Sequence, residues 1–224
     1  MVDLTEITSA KHIVLECDAS SFANASALYT YALTQHKKVS LISQEPLPRH
    51  LSFLPWFEKV RPLKPSCADY YLHVKTQTLA LIQALEKSAI NINEKMATAL
   101  YAGLLLEYDF FKSPDCDGMV FAAALKLTER NAAHSECMKH LLFSQPLSLF
   151  RLRALLFKKL RLVENATVAL LLFSDEDLEA SGAQMREVFI IMDEVLKLVH
   201  VQEVRLVKSD ENNQLIKILK GKIA

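Results

Sequence analysis

An α/β fold, with a mainly parallel sheet flanked by helices, is predicted by three features of the sequence. Two short apolar runs, at residues 13–15 and 39–42, bracket an alanine-rich stretch of helical spacing. Longer helical patterns then alternate with another short run at 69–74 and a fourth at 166–173. The last forty residues change character, to one amphipathic helix followed by two strand-like runs around a polar turn.

Taken in order, residues 12–17 read as a first strand with Ile13, Val14 and Leu15 buried. Asp18, Ser20 and Ser21 form the turn after it, and either serine can cap a helix running to about residue 36. Ala25, Leu28, Tyr29 and Leu33 would line its inner face. A second strand at 39–42 completes a right-handed parallel crossover. Residues 46–65 are punctuated by proline, and Phe53, Leu54, Trp56 and Phe57 should pack over a sheet edge, with Trp56 as an anchor. A third strand is expected at 69–74. Helices are expected at 77–89, 94–108, 118–130, 135–143 and 146–160, then a strand at 166–173. Asp175, Glu176 and Asp177 suit the first turn of a short helix closed by Gly182. Met185, Val188, Phe189, Met192, Val195 and Leu196 mark an amphipathic helix over 184–198, and antiparallel strands follow at 201–207 and 215–219. This reading puts a domain boundary after Gly182: an α/β domain over 1–182 and a truncated α+β helix–hairpin unit over 183–224. So small a unit should dock on the preceding domain or on a second copy.

Composition narrows the function. The 224 residues carry 26 Lys plus Arg and 26 Asp plus Glu, so no global charge draws the chain to nucleic acid or to an anionic membrane. Four cysteines without a C-x-x-C pair argue against a structural zinc site or a disulfide framework. The first residues lack the apolar core of a signal peptide, and no apolar run is long enough to span a bilayer. A cytoplasmic protein without a membrane partner is expected. Only four glycines occur, and none builds a phosphate-cradling loop of the Walker or Rossmann kind.

Four segments appear in a telling order: DASSFANASALYTYAL, KKVSLISQEPLPRHLSFLPWFEKVRPL, KMATALYAGLLLEYDFF and VALLLFSDEDLEASGAQMREV. In order and spacing they resemble the DHH/DHHA1 phosphoesterases, specifically the nanoRNase and pAp-phosphatase branch related to RecJ exonucleases. The resemblance spans most of the chain. It implies a DHH-like domain over 1–182 and a DHHA1-like remnant over 183–224. It also implies manganese chemistry, in which carboxylates and histidines on strand-end loops hold two ions that activate water.

The family's ligand positions are mostly replaced. Where its first motif has a His and two Asp, this chain has Val14, Asp18 and Ser20. The Asp at the end of the third strand becomes Lys75, two residues after His73, and the DHH motif itself has no counterpart. The Asp of the D-T-G-like turn aligns with Glu107, followed by the bulky Tyr108, Asp109 and Phe110. The substrate-gripping pair and glycine-rich loop of the second domain would fall at or beyond residues 217–224, which read KILKGKIA. Asp18 and Glu107 are therefore the vestigial metal candidates and His73 the vestigial catalytic one; two carboxylates are too few for a tight dinuclear site. The expectation is a degenerate member acting as a binding protein, through a protein partner or a homodimer, with no cofactor. The alternatives are a manganese-dependent phosphoesterase using Asp18, Glu107 and His73, and a nucleic-acid accessory factor.

Three further clusters carry chemistry in principle. His134, Cys137 and His140 share a helix face, and Asp109, Asp115 and Asp117 make an acidic loop without calcium-loop spacing. Arg151, Lys158, Lys159 and Arg161 fall on one side of a helix, with Leu152, Leu156, Phe157 and Leu160 expected opposite. This basic side is the candidate anion or nucleic-acid contact.

Overall fold

A computed structural model describes residues 4–209 and 214–221. The chain divides into two compact units, Met1–Ser144 and Gln145–Ala224. The boundary expected after Gly182 lies inside the second of them. The polar turn expected at 209–213 falls almost wholly outside the described residues, as do residues 222–224 of the expected substrate loop.

The first unit opens with α1 (Leu4–Ser9), β1 (His12–Glu16), α2 (Phe22–Thr34) and β2 (Lys38–Ile42). It continues through β3 (Val60–Arg61), β4 (Tyr70–His73), α3 (Thr78–Lys87), α4 (Glu94–Glu107), α5 (Gly118–Glu129) and α6 (His134–Leu141). Its sheet is wholly parallel in the order β3-β2-β1-β4, with Ile13 opposite Val39 on one side and Tyr70 on the other. Ile13 and Leu15 enter the helix-covered core, whereas the opposite face carries Val14, Ile42 and Tyr71. That second face is crossed by the proline-rich segment before β4: the Tyr71 hydroxyl donates to Pro65 O at 3.4 Å, and Lys64 Nζ reaches Glu16 Oε2 at 2.9 Å.

Helices α2 and α4 are buried on nearly every side, which their alanine-rich sequences permit. Their close approach leaves no room at Gly103. A Cβ there would lie 2.8 Å from Thr78 Oγ1 and 3.1 Å from Asn24 Oδ1. Trp56 anchors the irregular segment as expected: its Nε1 donates to Thr30 Oγ1 at 2.8 Å, and its ring lies 5.0 Å from that of Tyr29. Strand β3 escaped the sequence reading, since two residues give no alternation to detect.

The second unit holds α7 (Leu147–Lys159), β5 (Arg161–Val163), β6 (Val168–Phe173), α8 (Asp175–Ser181), α9 (Met185–Val195), β7 (Glu203–Lys208) and β8 (Gln214–Lys220). Its sheet runs β5-β6-β7-β8 and is mixed: β6 and β7 are parallel, and each outer pair is antiparallel. The terminal hairpin therefore does not stand alone. Strand β7 pairs with β6 through a crossover made of α8 and α9, and Gly182, in the left-handed region at φ 71°, simply closes α8. Leu149, Leu152 and Leu156 of α7 meet Ala169, Leu171, Val188, Ile191, Val204 and Leu206 in one apolar core.

Candidate functional site

In a parallel sheet the strand carboxyl ends and the helix N-termini that follow are where ligands bind. Here that rim is formed by the turn after β1, the segment between β4 and α3, and the end of α4. The turn after β1 is held by Asp18. Its Oδ1 accepts four hydrogen bonds: from Ser20 N–H at 2.9 Å, Ser20 Oγ at 2.7 Å, Ser21 N–H at 2.9 Å and Ser21 Oγ at 2.9 Å. The Ser20 hydroxyl above all, and after it the Ser21 hydroxyl and the two amides, hold the Asp18 carboxyl below its ordinary value against partial desolvation. Ser21 is the residue before α2, yet its hydroxyl turns back to Asp18 rather than capping the helix.

From this turn the network continues to the segment before α3. Ser20 Oγ lies 3.0 Å from Thr76 Oγ1, and Asn24 Nδ2 donates to Lys75 O at 3.0 Å. Glu107, at the end of α4, accepts from Thr78 N–H at 2.7 Å, so its carboxylate sits on the N-terminus of α3. Asp18 and Glu107 thus grip the same short segment, one at Thr76 through Ser20 and the other at Thr78. Asn24 Oδ1 and Thr78 Oγ1 are buried without a hydrogen-bond partner among the described residues, and both face Gly103, where no space remains for a ligand atom. Asn24, Thr76 and Thr78 escaped the sequence reading, because their roles depend on contacts between residues distant in the chain.

The remaining candidates lie apart from this network. His73 stands exposed at the end of β4, opposite Glu16 in the strand register. With Lys75, Gln77 and Leu81 it lines a cavity of about 170 Å³, and neither Asp18 nor Glu107 lines that cavity. Val14 is buried in mid-strand. Cys17, next to Asp18, is buried, and burial first, then the Asp18 and Glu16 charges, push its thiol up to about 12, which makes it a poor nucleophile or metal ligand.

The three-residue helix face in α6 separates in space. His134 Nδ1 meets the Tyr101 hydroxyl at 2.8 Å, Cys137 is buried beneath Thr98, and His140 stacks on Phe53 at 4.8 Å. In the acidic loop, Asp117 caps α5 by accepting from Met119 and Val120 N–H, while Asp109 lies 4.0 Å from Lys112. Asp109, Phe110 and Phe111 are all left-handed, at φ 44°, 55° and 63°, so bulky residues turn the chain where the family pattern has small ones.

The dinuclear manganese centre that the resemblance implies is not matched by this donor set. Asp18 spends one carboxylate oxygen on four serine donors, Glu107 is committed to a helix N-terminus, and Lys75 brings a cation to the same rim. Among the described residues no three His, Cys, Asp or Glu side chains come together in a metal-holding group. In α7, Lys159 donates to both oxygens of buried Asp177 at 2.7 and 2.8 Å, and Arg153, on the side opposite the basic cluster, donates through Nε to Glu194 at 2.7 Å. Arg151, Lys158 and Arg161 remain exposed. Phe157, expected opposite them, points outward instead.

Fold and rim together define an α/β protein with its site position at strand ends and its polar groups there bonded to one another. No protein-family model matches the sequence, and no curated protein matches it. Among solved structures, an exopolyphosphatase-related protein from Bacteroides fragilis aligns at a TM-score of 0.78 with 10% identity, over 93% of this chain and 79% of that one. A putative family II inorganic pyrophosphatase from Methanococcus jannaschii aligns at 0.35 with 14% identity, over 89% of this chain and 84% of that one. Exonuclease RecJ bound to manganese aligns at 0.38 with 13% identity, over 92% and 77%. The last two scores are too low to bear on the fold. The first shows that this chain has the α/β fold of that neighbour. Among the described residues no helix is long and apolar enough to cross a membrane.

Proposed function

We propose that this chain is a catalytically degenerate relative of the DHH phosphoesterases that works as a binding protein, through a protein partner or a second copy of itself. The observation that carries the reading is the state of Asp18, whose Oδ1 is consumed by Ser20 and Ser21. Those serines stabilise the turn as a folding unit, in the place where the resemblance calls for a second carboxylate. Glu107 supports the same reading, since it stabilises α3 from across the core. The cytoplasm is the compartment this reading assigns.

The test is hydrolysis. Purified protein incubated with manganese and either pAp or oligonucleotides of two to five residues is expected to leave both intact. Manganese-dependent turnover that disappears in Asp18→Ala would overturn the reading in favour of a working reduced site.

A further inference from the structure

Among the described residues the two sheets end in four edge strands, and these are not alike. Strand β3 offers two residues, β5 three and β4 four, lengths that give an incoming strand little to pair with. Strand β8 runs for seven residues, QLIKILK, and no described strand lies on its outer side. Leu215 is 49% exposed, Ile216 40% and Ile218 44%. The lysines that usually guard such an edge are committed elsewhere. Lys217 Nζ lies 4.3 Å from the centre of the Phe189 ring of α9, and Lys220 Nζ lies 3.5 Å from Glu203 Oε2 of β7. A long, open, aliphatic edge is what a strand of another chain pairs with.

We propose that a second copy of this chain covers the edge, β8 pairing with β8 about a two-fold axis at Ile218. The backbone sets which residues meet. Gly221 N–H donates to Gln202 O at 2.8 Å, so along the antiparallel ladder Leu219 and Lys217 also face β7. Ile218 and Lys220, in alternation with them, turn their N–H and C=O groups outward. Two identical edges pair antiparallel, each supplying the groups that the other lacks, and the contact closes at two copies. Charge then sets the register. Full overlap of the two strands would put Lys217 opposite Lys217 of the second copy, a like-charge pair at the closest cross-strand spacing. With Ile218 opposite Ile218, Lys217 meets Leu219 and Lys220 meets Ile216, so no lysine faces another. A second copy brings an edge of the same length with its lysines already committed, and the exposed aliphatic side chains of β8 meet their equals. The four-stranded sheet of each copy becomes half of a continuous one.

This inference rests on the chain being a binding protein, and it names the partner and the surface. Light scattering of the full chain as it elutes from a sizing column tests it. The expected mass at micromolar concentration is twice the 25.3 kDa of one chain. Ile218→Lys sets lysine against lysine at the axis and should return the mass to that of one chain. Ile218→Pro should do the same, because it removes an outward N–H that the pairing with β7 does not use. Far-ultraviolet circular dichroism of both variants should match the parent, and Ile218→Val should remain a dimer. Cross-linking reads the register. With the exposed thiol removed by Cys67→Ser, Ile218→Cys should form a disulfide-linked dimer under mild oxidation, since Cα atoms facing each other in such a pair stand about 5.5 Å apart. Leu215→Cys, about 20 Å from its equivalent in this register, should not. A monomer throughout, which leaves the edge to a strand of some other protein, would overturn the proposal. So would a dimer that survives both Ile218→Lys and Ile218→Pro, or cross-linking through Leu215→Cys in place of Ile218→Cys. Incubation of the same samples with manganese and pAp separates the pairing from the reading it rests on. A dimer that hydrolyses pAp keeps the pairing and overturns the degenerate reading, while a monomer that leaves pAp intact does the reverse.

Discussion

Two aspartates follow strand ends and open helices in this protein, Asp18 after β1 and Asp177 after β6, and they are used differently. Asp177 is buried and spends both oxygens: Lys159 reaches each of them, and Ser174 completes a capping box at the start of α8. Asp18 is exposed and loads all its described hydrogen bonds onto Oδ1. The first is the kind of carboxylate that sequence passes over as an acidic helix start, yet it holds two elements of the second unit together. The second stands where a resemblance expects metal chemistry, yet it organises its own turn and, through Ser20, reaches Thr76. Position at a strand end does not distinguish a ligand from a cap; the partners of each oxygen do.

That contrast predicts unequal effects on stability. Asp177→Ala removes the cap and strands Lys159, and because Lys159 keeps partial solvent contact the loss should be about 3 kcal/mol. Urea unfolding measures it, and a loss below that of Asp18→Ala would reverse the comparison. Gly103→Ala forces a methyl against Thr78 and should destabilise by roughly 1–3 kcal/mol. The double variant with Thr78→Ala should recover part of that, since the clash is with that side chain. Asp18→Ala should lose only about 1 kcal/mol, the usual worth of the hydrogen bonds of such a turn.

The two carboxylates should also show themselves in acid. Both are held below the ordinary value, Asp18 chiefly by the Ser20 hydroxyl, and Asp177 because Lys159 and Ser174 outweigh the desolvation that opposes them. A depressed folded-state value gives stability that is complete above the unfolded value of about 3.9 and is lost as pH falls through the folded one. Unfolding measured from neutral pH down to about pH 3 should therefore fall less steeply in Asp18→Ala and in Asp177→Ala than in the parent.

The sequence made the first unit's framework legible because its strands are continuous apolar runs and its helices have full periods. Residues 12–17, 39–42 and 69–74 became β1, β2 and β4 with small changes at the ends. Short elements were lost: α1 has six residues, β3 two and β5 three, too few for a period to declare itself. Gly182 gave a true helix end, but a helix end inside a crossover says nothing about a domain boundary. Around the site, the sequence itself places Val14, Ser20 and Lys75 where the resemblance implies ligands. The task of Glu107 was not legible, because Thr78 reaches it only after α3 and α4 pack. Phe157 was misplaced for a related reason. It lies about 100° from Leu156 on the helix, so periodicity alone allowed either side.

Whether the strand-end rim, its polar groups bonded to one another, holds no metal, as proposed, is tested most directly by the melting temperature with and without manganese. A site filled at a hundred times its dissociation constant would stabilise the fold by about 2.7 kcal/mol. The parent protein is expected to keep the same melting temperature across a manganese titration to millimolar concentration. A rise in the parent that vanishes in Asp18→Ala would contradict it.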